Sequence, residues 1–142
     1  MLDSVLRILP IVLFSLVAAG ACAAERSNCS EVPGSWSMDF RPSDWNDPSC
    51  PTLSALVLSA PTTQASQCHE GCTCSFSEFS MRSEHDEDDF CGGGFQESCA
   101  ADASSMSCHM SFDTNTLARG FCRKTFSNRQ DWCDYAFDFV KR

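Results

Sequence analysis

Residues 105–112 read Ser-Met-Ser-Cys-His-Met-Ser-Phe, a strict alternation of polar and apolar side chains. A repeat of two over this length is typical of a β-strand that buries one face. The same alternation runs through residues 36–41 and 133–139. In the first of these segments Trp36 shares a face with Met38 and Phe40, and we therefore expect Trp36 to be buried.

The rest of the chain carries shorter patterns of the same kind. Further strands are predicted over residues 53–59, 72–82, 90–97 and 121–125, and helical turns only over 100–105 and 116–119. Within 90–97 the run Gly92-Gly93-Gly94 predicts a bulge. Short strands separated by polar turns indicate an all-β fold. We predict a single antiparallel domain, either a sandwich or a small up-and-down barrel, that is stapled by disulfides.

Residues 1–23 are typical of an export signal. Arg7 precedes an apolar run over residues 8–17, which is shorter than the roughly 20 residues of a membrane helix. Ala21-Cys22-Ala23 offers an ordinary cleavage site before Ala24. We assign residues 24–31 to a polar tether and 32–142 to the β domain.

A second signal overlaps the first. Ala19-Gly20-Ala21-Cys22 resembles the lipobox of bacterial lipoproteins, in which the cysteine receives a lipid. This resemblance implies an outer-membrane or cell-surface lipoprotein anchored through Cys22 if the source is bacterial. Cleavage before Ala24 implies a secreted protein instead.

The cysteine count predicts a disulfide framework. Of the 11 cysteines, Cys22 is lost or lipidated in either form, which leaves ten in an exported domain. An even number in an oxidising compartment predicts up to five bridges, with the connectivity left open. Cys72 and Cys74 share one side of a strand, so we expect them to have different partners. The ten predicted disulfide cysteines are Cys29, Cys50, Cys68, Cys72, Cys74, Cys91, Cys99, Cys108, Cys122 and Cys133.

Composition limits the partners. The formal net charge of −9 argues against nucleic acid, because binding phosphates requires Lys and Arg. It also argues against charge-driven binding to an anionic membrane, so any membrane attachment would come through a lipid on Cys22. We expect a monomer whose partner is an unknown protein or small ligand.

Two clusters could hold a metal ion. Residues 84–89 offer carboxylates for a weak Ca²⁺ site, with Glu84, Asp86, Asp88 and Asp89 as candidate ligands. They lack the spacing of an EF-hand, and a solvated hairpin tip is the alternative. The cysteines of residues 68–74 have zinc-like spacings, but export favours disulfides. We expect no other cofactor.

Catalytic motifs are not found in the sequence. His69, His85 and His109 are the histidines, and His109 is predicted to lie on the polar face of a strand between Ser107 and Ser111. Neighbours two positions apart on a strand are about 7 Å apart, too far for a hydrogen bond. We therefore predict a protein that is not an enzyme and has no catalytic residues.

Two family resemblances bear on the fold. Gly34-Ser35-Trp36 near the first strand, together with Lys141-Arg142 at the end of the last, resembles the G-x-W and terminal Arg of lipocalin and calycin barrels. This implies that the Arg lies over the Trp at a closed end. Together with the signal and the many cysteines, it also resembles small β-rich bacterial lipoproteins. The C-x₃-C-x-C run of residues 68–74 is faintly similar to trypsin-inhibitor and EGF-type modules.

These observations favour an exported, non-catalytic binding module, lipid-anchored or free, whose ligand the sequence does not identify. The alternative is a freely secreted cysteine-rich inhibitor or effector that acts on a protein partner.

Overall fold

The computed structural model describes residues 27–84 and 87–142. This part of the chain is all-β, with two short 3₁₀ turns at Cys29–Glu31 and Ala65–Gln67. In the same residues no helix is long and apolar enough to cross a membrane. The strands are β1 Gly34–Pro42, β2 Leu56–Ala60, β3 Cys72–Phe76, β4 Ser80–Glu84, β5 Glu87–Cys99, β6 Ser104–Thr114, β7 Leu117–Phe126 and β8 Trp132–Lys141.

All eight strands belong to one antiparallel sheet, in the order β2-β1-β8-β7-β6-β5-β3, with β4 beside the first half of β5. Strands β5 to β8 form a meander, and β1 pairs with β8, so the beginning and the end of the fold lie side by side. Because one continuous sheet curls round a single core, the architecture is a nearly closed antiparallel barrel, as one of the two predicted alternatives has it. Its strand order is not simply up-and-down, since β3 pairs with β5 rather than with β4.

The segment of residues 61–71 fills the gap between β2 and β3. The Thr63 hydroxyl donates to the carbonyl of Cys74 at 2.6 Å, and the Gln67 amide donates to the Ser59 hydroxyl at 3.1 Å. An open sheet edge is a template for pairing with another chain. The segment therefore covers the two strand edges that would otherwise face solvent.

Aromatic rings fill the barrel interior. Trp36 is fully buried, as predicted, and it stacks on Phe139 with ring centroids 4.6 Å apart. Phe112 meets the Trp36 ring edge-on at 5.5 Å, and the Trp36 indole N–H donates to the carbonyl of Val32 at 2.8 Å. The cation over the Trp36 ring is Lys141, whose Nζ is 5.7 Å from the ring centroid. The calycin resemblance implies an Arg in this position.

The predicted bulge lies in the neighbouring strand rather than at the glycines. Residues 72–82, predicted as one strand, form β3 and β4, which are separated by residues 77–79, whereas β5 runs unbroken through Gly93 and Gly94. A Cβ on Gly93 would lie 2.2 Å from the Phe79 ring. The glycines therefore provide the room for Phe79, from the segment between β3 and β4, to pack against the core, where it contacts Phe76 and Phe112.

The two predicted helical turns are also wrong. Residues 100–103 form the turn between β5 and β6, and Leu117 already begins β7. Both segments join antiparallel neighbours, so hairpin pairing overrides their local helix propensity.

Chain segments cover both ends of the barrel. Residues 27–31, assigned from the sequence to a polar tether, are held against one end, because Cys29 is bonded to Cys91 and Ser27 is buried. The long loop between β1 and β2 covers the other end. There Cys50 is bonded to Cys133, and the buried Tyr135 donates its hydroxyl to the carbonyl of Pro51 at 2.7 Å.

The ten cysteines of residues 27–142 form five disulfides. Cys72 and Cys74 have different partners, as their shared strand side predicts. The bridges are Cys29–Cys91, Cys50–Cys133, Cys68–Cys74, Cys72–Cys99 and Cys108–Cys122.

We expect iodoacetamide to label none of these ten cysteines in the unreduced, denatured domain, because every thiol is oxidised. Intact mass after labelling is the measurement, on a chain that starts at Ala24. A sample reduced beforehand serves as the control and should gain ten labels. Stoichiometric labelling of two or more cysteines without reduction would contradict the five-bridge framework.

Candidate functional site

A buried ion pair lies near the end of the barrel that the β1–β2 loop covers. Glu97 sits at a core position of β5, between Phe95 and Cys99, and is only 1% exposed. Its carboxylate accepts hydrogen bonds from the backbone N–H of His69 at 3.0 Å and from Nδ1 of the same residue at 2.8 and 2.9 Å. A buried carboxylate is costly unless it is paired and hydrogen-bonded, and His69 satisfies both requirements.

Both ring nitrogens of His69 face acceptors. Nδ1 meets the Glu97 carboxylate, and Nε2 lies 2.9 Å from the carbonyl oxygen of Ser54. When Glu97 is ionised neither acceptor can donate, so both nitrogens then carry hydrogens and the ring is an imidazolium. The hydrogen bond to Glu97 raises the pKa of His69 above its ordinary value, although burial acts in the opposite direction. The His69 ring therefore links the β1–β2 loop, through Ser54, to Glu97 on β5.

We expect the free energy of unfolding to fall as pH rises through the pKa of folded His69. This pKa is higher in the folded than in the unfolded chain, so the contribution is complete below about pH 6.5, the unfolded value, and is lost above the folded value. Urea unfolding between pH 6 and pH 9 measures this loss. His109→Leu, which changes an exposed histidine, should retain the slope. The double variant His69→Leu/Glu97→Gln should lack it, because it removes the histidine without leaving an unpaired buried carboxylate that titrates in its place. Equal slopes in the two variants would rule out His69 as its source.

A second buried charge lies at the same end. The Lys124 side chain is 7% exposed, and its Nζ is 3.5 Å from a carboxylate oxygen of Asp102. Asp102 also accepts from the Ser104 hydroxyl at 2.5 Å, the main reason that its pKa is lowered. Lys124 lines a pocket of about 340 Å³, whose other walls include Leu53, His69 and the Cys72–Cys99 disulfide.

Three aromatic side chains are exposed on the outside of the barrel. Trp45 follows β1, Phe121 lies on β7 and Trp132 begins β8, and they are 74%, 65% and 50% exposed. We call these three residues the aromatic patch. A groove of about 470 Å³ lies beside them and is lined by Trp45, Ser107, His109, Phe121, Cys122, Arg123 and Asp134.

Arg123 and Asp134 form an ion pair that contacts two of the three rings of the aromatic patch. The guanidinium forms two hydrogen bonds to the carboxylate, at 2.8 and 3.0 Å, and lies over the Trp132 ring at 4.7 Å. The same carboxylate accepts from the Trp45 indole N–H at 3.4 Å. Arg123 is the main cause of the lowered pKa of Asp134. Trp45 and Trp132 are thus held by a charged network, and Phe121 shares the groove lining with Arg123 and Asp134.

The remaining charges on this face also occur in opposite pairs. Arg41 forms an ion pair with Asp138, and Arg119 lies 3.4 Å from Asp113 and 3.8 Å from Asp138. The chain as a whole has a net charge of −9. Among the described residues, the outer face of β6, β7 and β8 therefore stands out in combining exposed rings with balanced charges.

One cluster of possible metal ligands in the described residues is not a metal centre. Ligand atoms of Cys72, Glu97 and Cys99 lie within 4.8 Å of one another, but the two sulfurs are bonded together. A disulfide sulfur lacks the thiolate charge that binds zinc. The other cysteines of residues 68–74 are likewise joined, as Cys68–Cys74.

Two further predictions concern residues that lie wholly or partly outside the described part of the chain. Cys22 and the rest of the signal lie outside the described residues, as does Asp86. The register pairs Glu84 with Glu87, so β4 and β5 form a hairpin at the acidic run. The side chains of residues 82–89 are not described, so Ca²⁺ binding by Glu84, Asp86, Asp88 and Asp89 stays a prediction.

Glu97, Lys124 and Phe121 were not predicted as site residues from the sequence. Glu97 and Lys124 occupy buried positions in their strands, where the alternation calls for apolar residues, and Phe121 occupies an outward position. These breaks in the alternation were the available signal. His109 lies exposed on β6 beside Ser107 and Ser111, as predicted.

Comparison with protein-family models, with curated proteins and with solved structures finds no match to this chain.

Proposed function

We propose that the chain is an exported, non-catalytic binding module that holds a protein partner against the aromatic patch. The observation that carries this proposal is the cluster of Trp45, Phe121 and Trp132, exposed side by side around the Arg123–Asp134 pair. Trp and Arg are enriched among the residues that dominate protein–protein binding energy. Exposed apolar patches rimmed by polar groups mark interaction sites.

Charge supports the same assignment. Interface centres are poor in Lys and Glu and rich in aromatic residues and Arg. The arginines of this face are already balanced by aspartates, whereas the molecule as a whole is acidic. Exposed ion pairs contribute little stability. Their arrangement around the rings is better explained by recognition than by folding.

Export is supported by the signal-like residues 1–23 and by the five disulfides, which fit an oxidising compartment. We propose that Cys22 carries a lipid that anchors the module at the cell surface. A freely secreted inhibitor or effector, starting at Ala24, is the alternative form of the same binding function. The intact mass of the exported protein distinguishes them, because a lipidated Cys22 and an Ala24 start differ in mass. The pairing of β1 with β8 and the cation over Trp36 support a calycin-like relationship.

We expect Phe121→Ser to abolish capture of the partner. The wild-type protein, Phe121→Ser and Val57→Ser are each used as bait in the extracellular medium of the producing cells. Val57→Ser is the matched control, because Val57 is 45% exposed on β2, outside the patch. A partner should be retained by wild type and Val57→Ser and lost with Phe121→Ser.

The purified pair then gives the affinity. We expect Phe121→Ser to weaken binding at least about tenfold, as for a central interface residue. Equal affinity of Phe121→Ser and wild type would contradict the proposal. So would a wild-type dimer that Phe121→Ser converts to monomer, because a second copy would then cover the patch.

A further inference from the structure

The covered end of the barrel contains a pocket that the proposed binding face does not use. The pocket has a volume of about 340 Å³, and its lining includes Leu53, His69, Ala101, Asp102 and Lys124. Ligand pockets begin at about this size and combine apolar walls with a few placed polar groups. This pocket has both, since the Cys72–Cys99 disulfide, Leu53 and Ala101 are apolar and Lys124 is charged.

Lys124 is the group that a ligand would meet. Its side chain is more than nine-tenths buried, at a position of β7 in phase with Cys122, which belongs to the core, and with Phe126, which packs against the core. Burying an ammonium is costly unless it is closely paired. Among the described residues its one charged partner is Asp102, at 3.5 Å, which is longer than the roughly 2.7–2.9 Å of a charge-assisted hydrogen bond.

Asp102 is a replaceable counter-ion. Its side chain is 46% exposed in the turn after β5, and it is already held by the hydroxyl and the backbone N–H of Ser104 at 2.5 and 3.2 Å. It can keep these bonds to Ser104 while another anion approaches the ammonium. A ligand carboxylate at hydrogen-bond distance would satisfy Lys124 better than Asp102 does.

Of the other charged groups near the pocket, Glu97 and His69 are committed to each other, whereas Glu70 is an exposed carboxylate in the lining. Glu97 receives two donors from His69, and both ring nitrogens of His69 are engaged. Glu97 is therefore not free to bind a cation, and His69 is not free to bind a second anionic oxygen. One ammonium beside the carboxylates of Asp102 and Glu70 suits a singly charged anion better than a phosphate with two charges.

We propose that this pocket binds a small monocarboxylic acid, whose carboxylate replaces Asp102 at Lys124 and whose apolar body lies against Leu53, Ala101 and the Cys72–Cys99 disulfide. The site is separate from the aromatic patch. It explains why a lysine occupies a core position, where an apolar side chain of similar length would be cheaper to bury.

Three probes with the same chain and different head groups test this proposal, namely hexanoate, hexylamine and 1-hexanol. Binding is measured as saturable shifts in proton–nitrogen NMR spectra. We expect hexanoate alone to shift the amides of Ala101, Asp102 and Lys124 along one saturation curve. Saturable binding of hexylamine at these residues, equal binding of hexanol, or no saturable shift with hexanoate would each overturn the proposal.

Two variants are expected to change the affinity for hexanoate in opposite directions. Asp102→Asn removes the competing carboxylate, so we expect hexanoate to bind several-fold more tightly. Lys124→Met removes the ammonium and should weaken hexanoate at least about tenfold. Weaker binding by Asp102→Asn, or unchanged binding by a folded Lys124→Met, would contradict the assignment. If Lys124→Met does not fold, the affinity of Asp102→Asn for hexanoate still tests the proposal. Phe121→Ser should bind hexanoate like the wild type, which keeps this test independent of the proposed partner.

Discussion

Replacing Trp36 with alanine is expected to lower the free energy of unfolding by about 3 to 5 kcal/mol, the usual range for a large aromatic residue in a core. Trp36 is fully buried, stacks on Phe139 and meets Phe112 edge-on. The change would open a cavity between β1 and β8 and would leave the carbonyl of Val32 without its indole donor. Urea unfolding monitored by far-UV circular dichroism measures the loss.

Trp132→Ala is the matched control for this prediction. It removes the same side chain from a position that is 50% exposed and that contacts Arg123. We expect it to cost less than about 1.5 kcal/mol, because an exposed cation–π contact contributes little. Similar losses for Trp36→Ala and Trp132→Ala would show that the interior is not packed around Trp36.

Replacing His69 with leucine is expected to cost a similar amount, about 3 to 5 kcal/mol, because it leaves the buried Glu97 carboxylate without its charged partner. The backbone N–H of His69 would remain as a donor, but the imidazolium would be gone. The hydrogen bond from the ring to Ser54 would also be lost, which loosens the covering loop.

The double variant separates charge from shape. In the His69→Leu background, Glu97→Gln replaces the unpaired carboxylate with a neutral amide and should restore part of the lost stability. The same change in wild type should be destabilising, because it weakens the bond to the imidazolium. Additive effects of the two substitutions would show that His69 and Glu97 do not act as a pair.

The strands could be predicted from the sequence because each strand of the barrel buries only one of its two faces. Met106, Cys108, Met110 and Phe112 all point inward on β6, so the burial pattern is visible as a repeat of two. The even number of cysteines after Cys22 likewise predicted full pairing. The partners were not predictable, because Cys29–Cys91 and Cys50–Cys133 join residues 62 and 83 positions apart through the closure of the sheet.

The break between β3 and β4 could not be placed from the sequence for a related reason. Three consecutive glycines suggest an irregular strand, but they serve the neighbouring edge, where Phe79 occupies the space that a Cβ on Gly93 would take. The candidate sites depend on closure as well. Glu97 lies 28 positions from His69, and Asp134 lies 89 positions from Trp45. Local patterns carry no information on such pairs.

The central claim is that a protein partner binds the outer aromatic patch rather than the interior of the barrel. The three tryptophans report on it directly, because Trp45 and Trp132 belong to the patch whereas Trp36 lies in the core. Their indole signals are followed in proton–nitrogen spectra as the captured partner is added, and are assigned with Trp45→Phe and Trp132→Phe. We expect the signals of Trp45 and Trp132 to shift while that of Trp36 stays in place. A shift of Trp36 alone would contradict the claim.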